Sequence, residues 1–174
     1  MEKQQVSYWE LEGTYQEIGK QMAKQPEKNH IYIPDPEKFG GKEMEEAFQL
    51  YDRYCPGIRE ELEGYAQEAG IAVRDIAYTW MTYLVPGCSG LILTGKKTDD
   101  GHTKIARNYE FTLEDEDLKL YRTAPAGKYA HISGSIVGFG RTEGINEKGL
   151  AVSMTSCGSV SYTHLRAHET DQYL

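Results

Sequence analysis

The sequence predicts an α+β fold in which helices come first and strands follow. In residues 1–87 apolar side chains recur at helical spacing, whereas residues 88–174 alternate β-rich segments with turns. The charge divides at the same place, since residues 1–87 carry 9 basic and 16 acidic residues and residues 88–174 carry 10 and 11. A chain of 174 residues is also long enough to bury a hydrophobic core.

The first half is predicted to hold one strand and four helices. The apolar and aromatic run Val6–Leu11 suits a strand. Thr14 stands three residues before Glu17, the capping-box arrangement that begins a helix. Four apolar stripes predict the helices: Tyr15, Ile18 and Met22; Met44, Ala47, Phe48 and Tyr51; Ile58, Leu62, Tyr65, Ala66 and Ala69; and the buried run Ile76–Val85.

Turn residues separate these helices. Asn29–Gly41 contains two prolines and paired glycines, which predicts a loop. Pro56-Gly57 interrupts the apolar stripes, and Gly70 suits the left-handed residue that closes a helix.

The second half is predicted to form an antiparallel set of strands. Gly95–Gly101 is a turn region, Glu114–Asp117 an exposed acidic loop, and Arg141–Gly149 a turn-rich link. The predicted strands are Ser89–Thr94, Thr103–Phe111, Lys128–Val137 and Leu150–Thr155.

Composition excludes several classes of protein. With 39% hydrophobic and 26% charged residues the chain is close to globular averages, which excludes collagen-like and wholly disordered proteins. No apolar run approaches the ~20 residues of a membrane span, and no basic stripe suits nucleic acid. Three cysteines argue against a disulfide framework, and the N-terminus lacks an apolar leader, so we expect a cytoplasmic protein.

Cys88 is the outstanding candidate for chemistry, because it follows Gly87 where helical sequence gives way to a strand. A thiol needs a base or a positive neighbour to act as a nucleophile. One route is a papain-like pair with a histidine, for which His131 is the candidate. A second is cleavage of the Gly87–Cys88 bond, which would give Cys88 its own α-amine as base. A third reading is a noncatalytic interaction module.

Pairing of the first two strands would set the neighbours of Cys88. If the hairpin is symmetric about residue 98, Cys88 faces Asn108 and Ser89 faces Arg107. A guanidinium beside the thiol would lower its pKa. A tighter turn at Asp100-Gly101 would instead put Cys88 opposite residue 113, and the turn chemistry leaves both registers open.

Three segments in order resemble a known family: ELEGTYQEIGKQMA, then GCSGLILTG with DGHTKIARNYEF, then GRTEGINEKGLAVSM. They are similar to the acyl-coenzyme A:6-aminopenicillanic acid acyltransferase-like group of N-terminal nucleophile (Ntn) hydrolases. The wider choloylglycine hydrolase-like group shares the cysteine, the R-N-x-[DE] motif and the N-E-K-G-L turn.

The resemblance implies a precursor that cleaves itself between Gly87 and Cys88. Residues 1–87 would be a helical, acidic prosegment, and residues 88–158 the first part of an αββα sandwich. Cys88 would be the nucleophile and its α-amine the base. Arg107 matches the arginine of R-N-x-[DE], and Glu110 matches the acidic partner of the amine.

The implied substrate is a small-molecule amide or acyl donor, attacked through a thioester at Cys88. Asn108, Thr155 and Ser156 are the candidates for substrate or oxyanion contacts, and Asn146 suits a turn rather than catalysis. We expect no cofactor and no metal, and the charge and the apolar runs described above argue against nucleic acid and membrane as partners. The cleaved prosegment is expected to be able to associate with the core.

The last segment departs from the family. SYTHLRAHET continues no periodicity and resembles translated sequencing-adapter read-through, so residues 159–174 are predicted to be non-native. We therefore reject the spacing of His164 and His168 as a metal site. On this interpretation the chain lacks the second half of the sandwich and is inactive as printed, although its parent is an enzyme.

Overall fold

The computed structural model describes residues 5–25, 40–82, 88–109, 118–136 and 140–154. These residues form helices and sheets, the mixed composition expected of an α+β protein. The elements in chain order are β1 (Ser7–Gly13), α1 (Tyr15–Ala23), α2 (Gly41–Tyr54), α3 (Ile58–Ala69), α4 (Val73–Thr82), β2 (Cys88–Leu93), a short 3-10 helix (Gly95–Lys97), β3 (Lys104–Tyr109), β4 (Lys119–Pro125), β5 (His131–Ile136), β6 (Gly140–Asn146) and β7 (Ala151–Ser153).

The chain divides into two compact units, residues 1–83 with 111–154 and residues 84–110 with 155–174. In the described residues the first unit holds β1, the four helices and β4–β7, and the second holds β2 and β3. The predicted αββα sandwich and the predicted boundary after residue 87 stay predictions.

The start of α1 confirms the capping box. The Glu17 backbone N–H donates to Thr14 Oγ1 at 3.3 Å, and the Thr14 backbone N–H donates to Glu17 Oε2 at 2.7 Å. The Thr14 N–H above all, and the Thr14 hydroxyl at 2.8 Å, donate to the Glu17 carboxylate, favour its ionised form and so lower the pKa of Glu17.

Glycines mark the helix boundaries at the predicted places. α2 ends at Tyr54, and Gly57, at φ 103°, precedes the first residue of α3. Gly70, at φ 69°, is the left-handed cap that ends α3. The predicted loop 29–41 lies outside the described residues except for Gly40 and Gly41.

Helices α1 and α3 cross at two glycines. A Cβ on Gly19 would collide with the backbone carbonyl oxygen of Glu61, and a Cβ on Gly64 would collide with that of Gln16. The missing side chains therefore let the two backbones approach closely.

The five-stranded sheet has the order β1-β4-β5-β6-β7. β1 pairs with β4 in parallel, from Ser7 opposite Lys119 to Gly13 opposite Pro125, and the sequence did not predict this pairing of the N-terminal strand. The described strands of the second half pair with one another only in antiparallel fashion, as predicted. Parallel neighbours need a long crossover, and the chain between β1 and β4 includes all four helices. The other neighbouring strands of this sheet are antiparallel.

Two strands of this sheet were not predicted. β4 lies in a segment for which no strand was expected, and β6 occupies most of Arg141–Gly149, which was predicted to be a link. The β6 sequence is poor in apolar residues, but it pairs with β5 on one side and β7 on the other, so tertiary pairing overrides its weak local preference. β5 starts three residues later than predicted, because the chain turns around Gly127, at φ 71°.

The core lies between the helices and the part of the sheet formed by β1 and β4. Tyr121 on β4 is fully buried, and its hydroxyl donates to Gln25 Oε1 at 2.6 Å. The buried cluster consists of Leu11, Ile18, Met22, Phe48, Leu62, Tyr65, Ala66, Ile76, Ala77 and Tyr121. None of these residues comes from β5, β6 or β7.

Arg141 on β6 lies at the margin of this core. Its guanidinium stacks 4.4 Å above the Tyr121 ring and reaches Met22 Sδ at 3.3 Å. Glu61 on α3 lies 3.9 Å away, and both charged side chains are largely buried. The contact joins α3 to the sheet.

Candidate active site

The β2–β3 hairpin carries the predicted nucleophile and arginine. Cys88 is the first residue of β2 and pairs with Tyr109, Ser89 pairs with Asn108, and Gly90 pairs with Arg107. The register predicted from symmetry about residue 98 is therefore wrong by one residue, and the tighter turn is wrong as well.

The loop explains the register. A 3-10 helix, Gly95–Lys97, and a turn in which the Gly101 N–H donates to the Thr98 carbonyl connect the strands. Together they use an even number of residues between Leu93 and Lys104, so the hairpin is centred between residues 98 and 99.

Contacts inside the loop hold this geometry. Lys104 Nζ lies 2.9 Å from Asp100 Oδ2, and the His102 N–H donates to Asp100 Oδ1 at 3.1 Å. The lysine above all, and the backbone N–H, lower the pKa of Asp100. Thr98 Oγ1 donates to the His102 carbonyl at 2.8 Å.

The one-residue shift decides which residues share a face. Directly opposite residues of an antiparallel pair lie on the same face, and faces alternate along each strand. Residues 88, 90 and 92 therefore share a face with residues 105, 107 and 109. Cys88 and Arg107 are diagonal neighbours on this face, a separation of about 7–8 Å between Cα atoms. The predicted register would have put them on opposite faces.

Gly90 enters the candidate site through this register. It stands directly opposite Arg107 and two residues after Cys88 on the same face. Sequence reasoning did not select it. The available signal in the sequence was that a glycine stands two residues after Cys88, which puts both on one face of a strand. Only the register shows that this is also the face of Arg107.

Asn108 lies on the other face. It pairs with Ser89 and is exposed, so the register separates it from Cys88. Gly87, Glu110, Thr155 and Ser156 lie outside the described residues, and of Cys88 the described part is its backbone. Their roles stay predictions.

The hairpin has apolar side chains on both faces. Leu91 and Ile92, neighbours on β2 that lie on opposite faces, are 56% and 64% exposed. Strands that are apolar on both faces are typical of sheets that are covered on both sides.

The remaining candidates belong to other elements. Cys55 is a free, exposed thiol at the end of α2. His131, the papain-like candidate, is on β5 in the first unit, and burial lowers its pKa. Asn146 closes a turn, as predicted: its Oδ1 accepts hydrogen bonds from the N–H groups of Lys148 and Leu150, each at 3.0 Å.

Two absences hold for the described residues. They include no group of three or more His, Cys, Asp or Glu side chains that could hold a metal ion. No helix among them has the length and apolar character needed to span a membrane.

A comparison with known families bears on the motif that includes Arg107. Residues 96–173 match the family model of acyl-coenzyme A:6-aminopenicillanic acid acyl-transferase. The match confirms the resemblance that the sequence motifs indicate. No curated protein matches the chain.

The acyltransferase match covers slightly less than half of the chain. It begins in the loop after β2, so it includes Arg107 and Glu110 but not Cys88. It also extends through most of the segment 159–174.

Proposed function

We propose that this protein is a self-processing cysteine amidase or acyltransferase of the Ntn-hydrolase type. Its substrate is a linear amide, and the reaction passes through a thioester at Cys88. The observation that carries the proposal is the shared face of Cys88 and Arg107 on the β2–β3 hairpin. The match of residues 96–173 to an acyltransferase family supports it.

Arg107 suits two tasks next to this cysteine. A permanent positive charge favours the thiolate over the thiol, which lowers the pKa of a neighbouring cysteine. Its planar N–H donors also suit a carbonyl or carboxylate oxygen of a substrate. Arg107 is half-buried, so its charge is less screened by solvent than that of a fully exposed side chain.

The first reaction would be cleavage of the chain itself. The Cys88 sulfur bonds to the carbonyl carbon of Gly87 while the C–N bond breaks, and the nitrogen takes the thiol proton. Water then hydrolyses the resulting thioester, which leaves a carboxylate on Gly87 and a free α-amine and thiol on Cys88. Glycine before the scissile bond adds no side-chain bulk to this step.

Turnover would use the new amine as a base. The α-amine takes the thiol proton, and the thiolate attacks the substrate carbonyl. When the C–N bond breaks, the α-ammonium returns the proton to the leaving nitrogen. Water discharges the thioester in a hydrolase, and a second amine discharges it in an acyltransferase. Glu110 would orient the amine.

The proposed architecture is the αββα sandwich of Ntn hydrolases. The apolar residues on both faces of the hairpin support it, because a central strand of such a sandwich is covered on both sides. The apolar residues are Leu91, Ile92 and Leu93 on β2 and Ile105 on β3.

The test separates self-processing from turnover. Intact mass of the purified chain reports cleavage between residues 87 and 88, and such cleavage would contradict the expectation that the chain is inactive as printed. Cys88→Ala is expected to abolish any cleavage that is observed. Cys55→Ala is the matched control, since Cys55 is a free thiol outside the hairpin. In parallel, residues 1–87 and residues 88–174 are co-expressed as two chains, the second with an added initiator methionine. Removal of that methionine leaves Cys88 with a free α-amine, so no self-cleavage is needed.

A panel of N-acyl compounds is then incubated with the co-expressed halves. Release of amine that depends on Cys88 supports the nucleophile even if the uncut chain fails to process. Turnover by a chain in which residues 87 and 88 remain joined contradicts the proposal. Equal alkylation of Cys88 and Cys55 by iodoacetamide would favour the noncatalytic alternative.

A further inference from the structure

A cavity lies on the five-stranded sheet, within the first unit. Its volume is about 440 Å³, within the range of small-molecule sites. It is lined by side chains of β5, β6 and β7 and of the turns next to them. The buried core covers β1 and β4, so the cavity occupies the part of the sheet that the described helices leave uncovered.

One row of residues crosses the cavity floor. Ser133 pairs with Gly144, and Gly144 pairs with Val152, so the three lie on one face across three strands. On the other side of β5, Ser133 pairs with Tyr121 of β4. Because Tyr121 belongs to the core, the row lies on the same face of the sheet as the helices, next to the part that they cover. Gly144 has no side chain and leaves the space between Ser133 and Val152 open.

The Ser133 end of the row is polar. Ser133 is 3% exposed, and its Oγ has no hydrogen-bond partner among the described residues. A buried hydroxyl without a partner is unfavourable, so an acceptor in the cavity would relieve a cost already present in the fold.

Positive charge lies at the same end. Arg141 lines the cavity, and its guanidinium is fixed by the Tyr121 ring and Met22 rather than extended into solvent. The Glu61 carboxylate is 3.9 Å away, on the helix side. The one carboxylate among the lining residues, Glu143, lies next to Gly134, which is on the opposite face from Ser133.

The other end of the cavity is apolar. Leu150, Val152 and Met154 line it and are 64%, 61% and 43% exposed. Three neighbouring apolar side chains on and beside β7, the last strand in the described part of this sheet, suit the hydrocarbon part of a ligand.

We infer that this cavity binds an amphipathic carboxylate. Its carboxylate accepts a hydrogen bond from Ser133 beside Arg141, its chain passes over Gly144, and its apolar end lies against Val152 and its neighbours. Nothing in this inference requires the chemistry of Cys88.

Calorimetric titration of the full chain tests it with octanoate below its micelle concentration. 1-Octanol provides the same chain without the charge, and acetate the charge without the chain. Octanoate is expected to bind at least tenfold more tightly than either.

Ser133→Ala should weaken octanoate binding by about tenfold, because a hydrogen bond to a charged group is lost. It should not lower the stability of the protein, since the hydroxyl has no described protein partner. Thr123→Val is the matched control: Thr123 Oγ1 is also buried without a described partner, but Thr123 does not line the cavity. It should leave octanoate binding unchanged.

A second pair of variants tests the apolar end. Val152→Glu puts a negative charge into the cavity at an exposed position, so it should abolish octanoate binding without unfolding the chain. Ala151→Glu, on the opposite face of the same strand, should not. The inference would be overturned if octanoate did not bind, or if it bound no more tightly than 1-octanol. It would also be overturned if the two variants of either pair changed octanoate binding equally.

Discussion

Gly90 is the smallest residue on the hairpin face that carries Cys88 and Arg107. A substrate carbonyl that reaches both residues lies over the square formed by Cys88, Gly90, Arg107 and Tyr109, and Gly90 is the one corner without a side chain. The absence of a side chain is therefore what the proposed chemistry needs there, since a β-branched residue would fill the approach to the sulfur.

Gly90→Val tests this requirement. Valine suits a strand, so the variant should fold, but amide turnover should fall by at least tenfold. Ser89→Val, on the opposite face, is the control and should retain activity. Release of amine by the co-expressed halves is measured together with thermal stability. Wild-type turnover by Gly90→Val would mean that substrate does not approach over this face.

A buried carboxyl, Glu61, couples stability to pH. Burial raises its pKa above the ordinary 4.5, and Arg141 opposes this to a smaller extent. The folded state therefore holds the proton more tightly than the unfolded state. The associated stabilisation is complete below pH 4.5 and is lost as the pH rises through the raised pKa.

Glu61→Gln should remove this loss. Urea unfolding at several pH values should show that wild type loses stability relative to Glu61→Gln as the pH rises above 4.5. Glu60→Gln, at the exposed neighbouring position, is the control and should follow wild type. If the free energy of unfolding changed with pH in the same way for wild type and Glu61→Gln, the fold would not hold the Glu61 carboxyl in its protonated form.

At the scale of elements, the crossing of α1 and α3 brings two helix backbones together at glycines. Gly19 and Gly64 bring each backbone against the other, and Ile18, Leu62 and Tyr65 are buried beside them. Side chains at either glycine would push the helices apart.

Gly64→Ala is expected to destabilise the protein by about 2 kcal/mol or more, because the new methyl group collides with a backbone carbonyl that cannot rotate away. Gly41→Ala, at the first residue of α2 with open space around it, should be neutral or stabilise by up to ~1 kcal/mol. Chemical denaturation measures both. Equal effects would mean that the helices can separate without cost.

The helices could be predicted because their signals are local. The Thr14–Glu17 box, the apolar stripes and Gly70 each act within a few residues of the helix they define. β4 and β6 could not, because their pairing partners supply the hydrogen bonds and burial that their own sequences do not indicate. Cys88 and Arg107 could be chosen from the sequence, but their common face depends on the number of residues in the loop.

At the scale of the whole molecule, the first unit draws its core from both sides of the proposed cleavage site. Leu11, Ile18 and Met22 precede residue 87, and Tyr121 follows it, yet all four belong to one buried cluster. β1 also adds seven pairs of residues to β4. These interactions are noncovalent, so breaking the chain at residue 87 does not remove them.

We therefore predict that the two halves remain together after cleavage. Residues 1–87 and 88–174, co-expressed as separate chains, should co-elute in size-exclusion chromatography and separate only in denaturant. Leu11→Asp, at a fully buried position of β1, should release the N-terminal half, whereas Tyr8→Asp, at an exposed position, should not. Separation of the wild-type halves in native buffer would contradict the prediction.

The parallel pairing of β1 with β4 also imposes an order of events during synthesis. Ser7 finds its partner only when Lys119, 112 positions later, has left the ribosome. At translation rates of roughly 5–20 residues per second, the N-terminal strand waits on the order of 6–20 seconds with its inward side uncovered. The peptide bond before Cys88 exists only for the last 31 positions of this wait, on the order of 2–6 seconds. If the proposed cleavage occurred within that time, the N-terminal piece would separate before β4 could hold it. Self-processing as proposed would therefore have to be slower than these few seconds, which places its rate under a kinetic constraint.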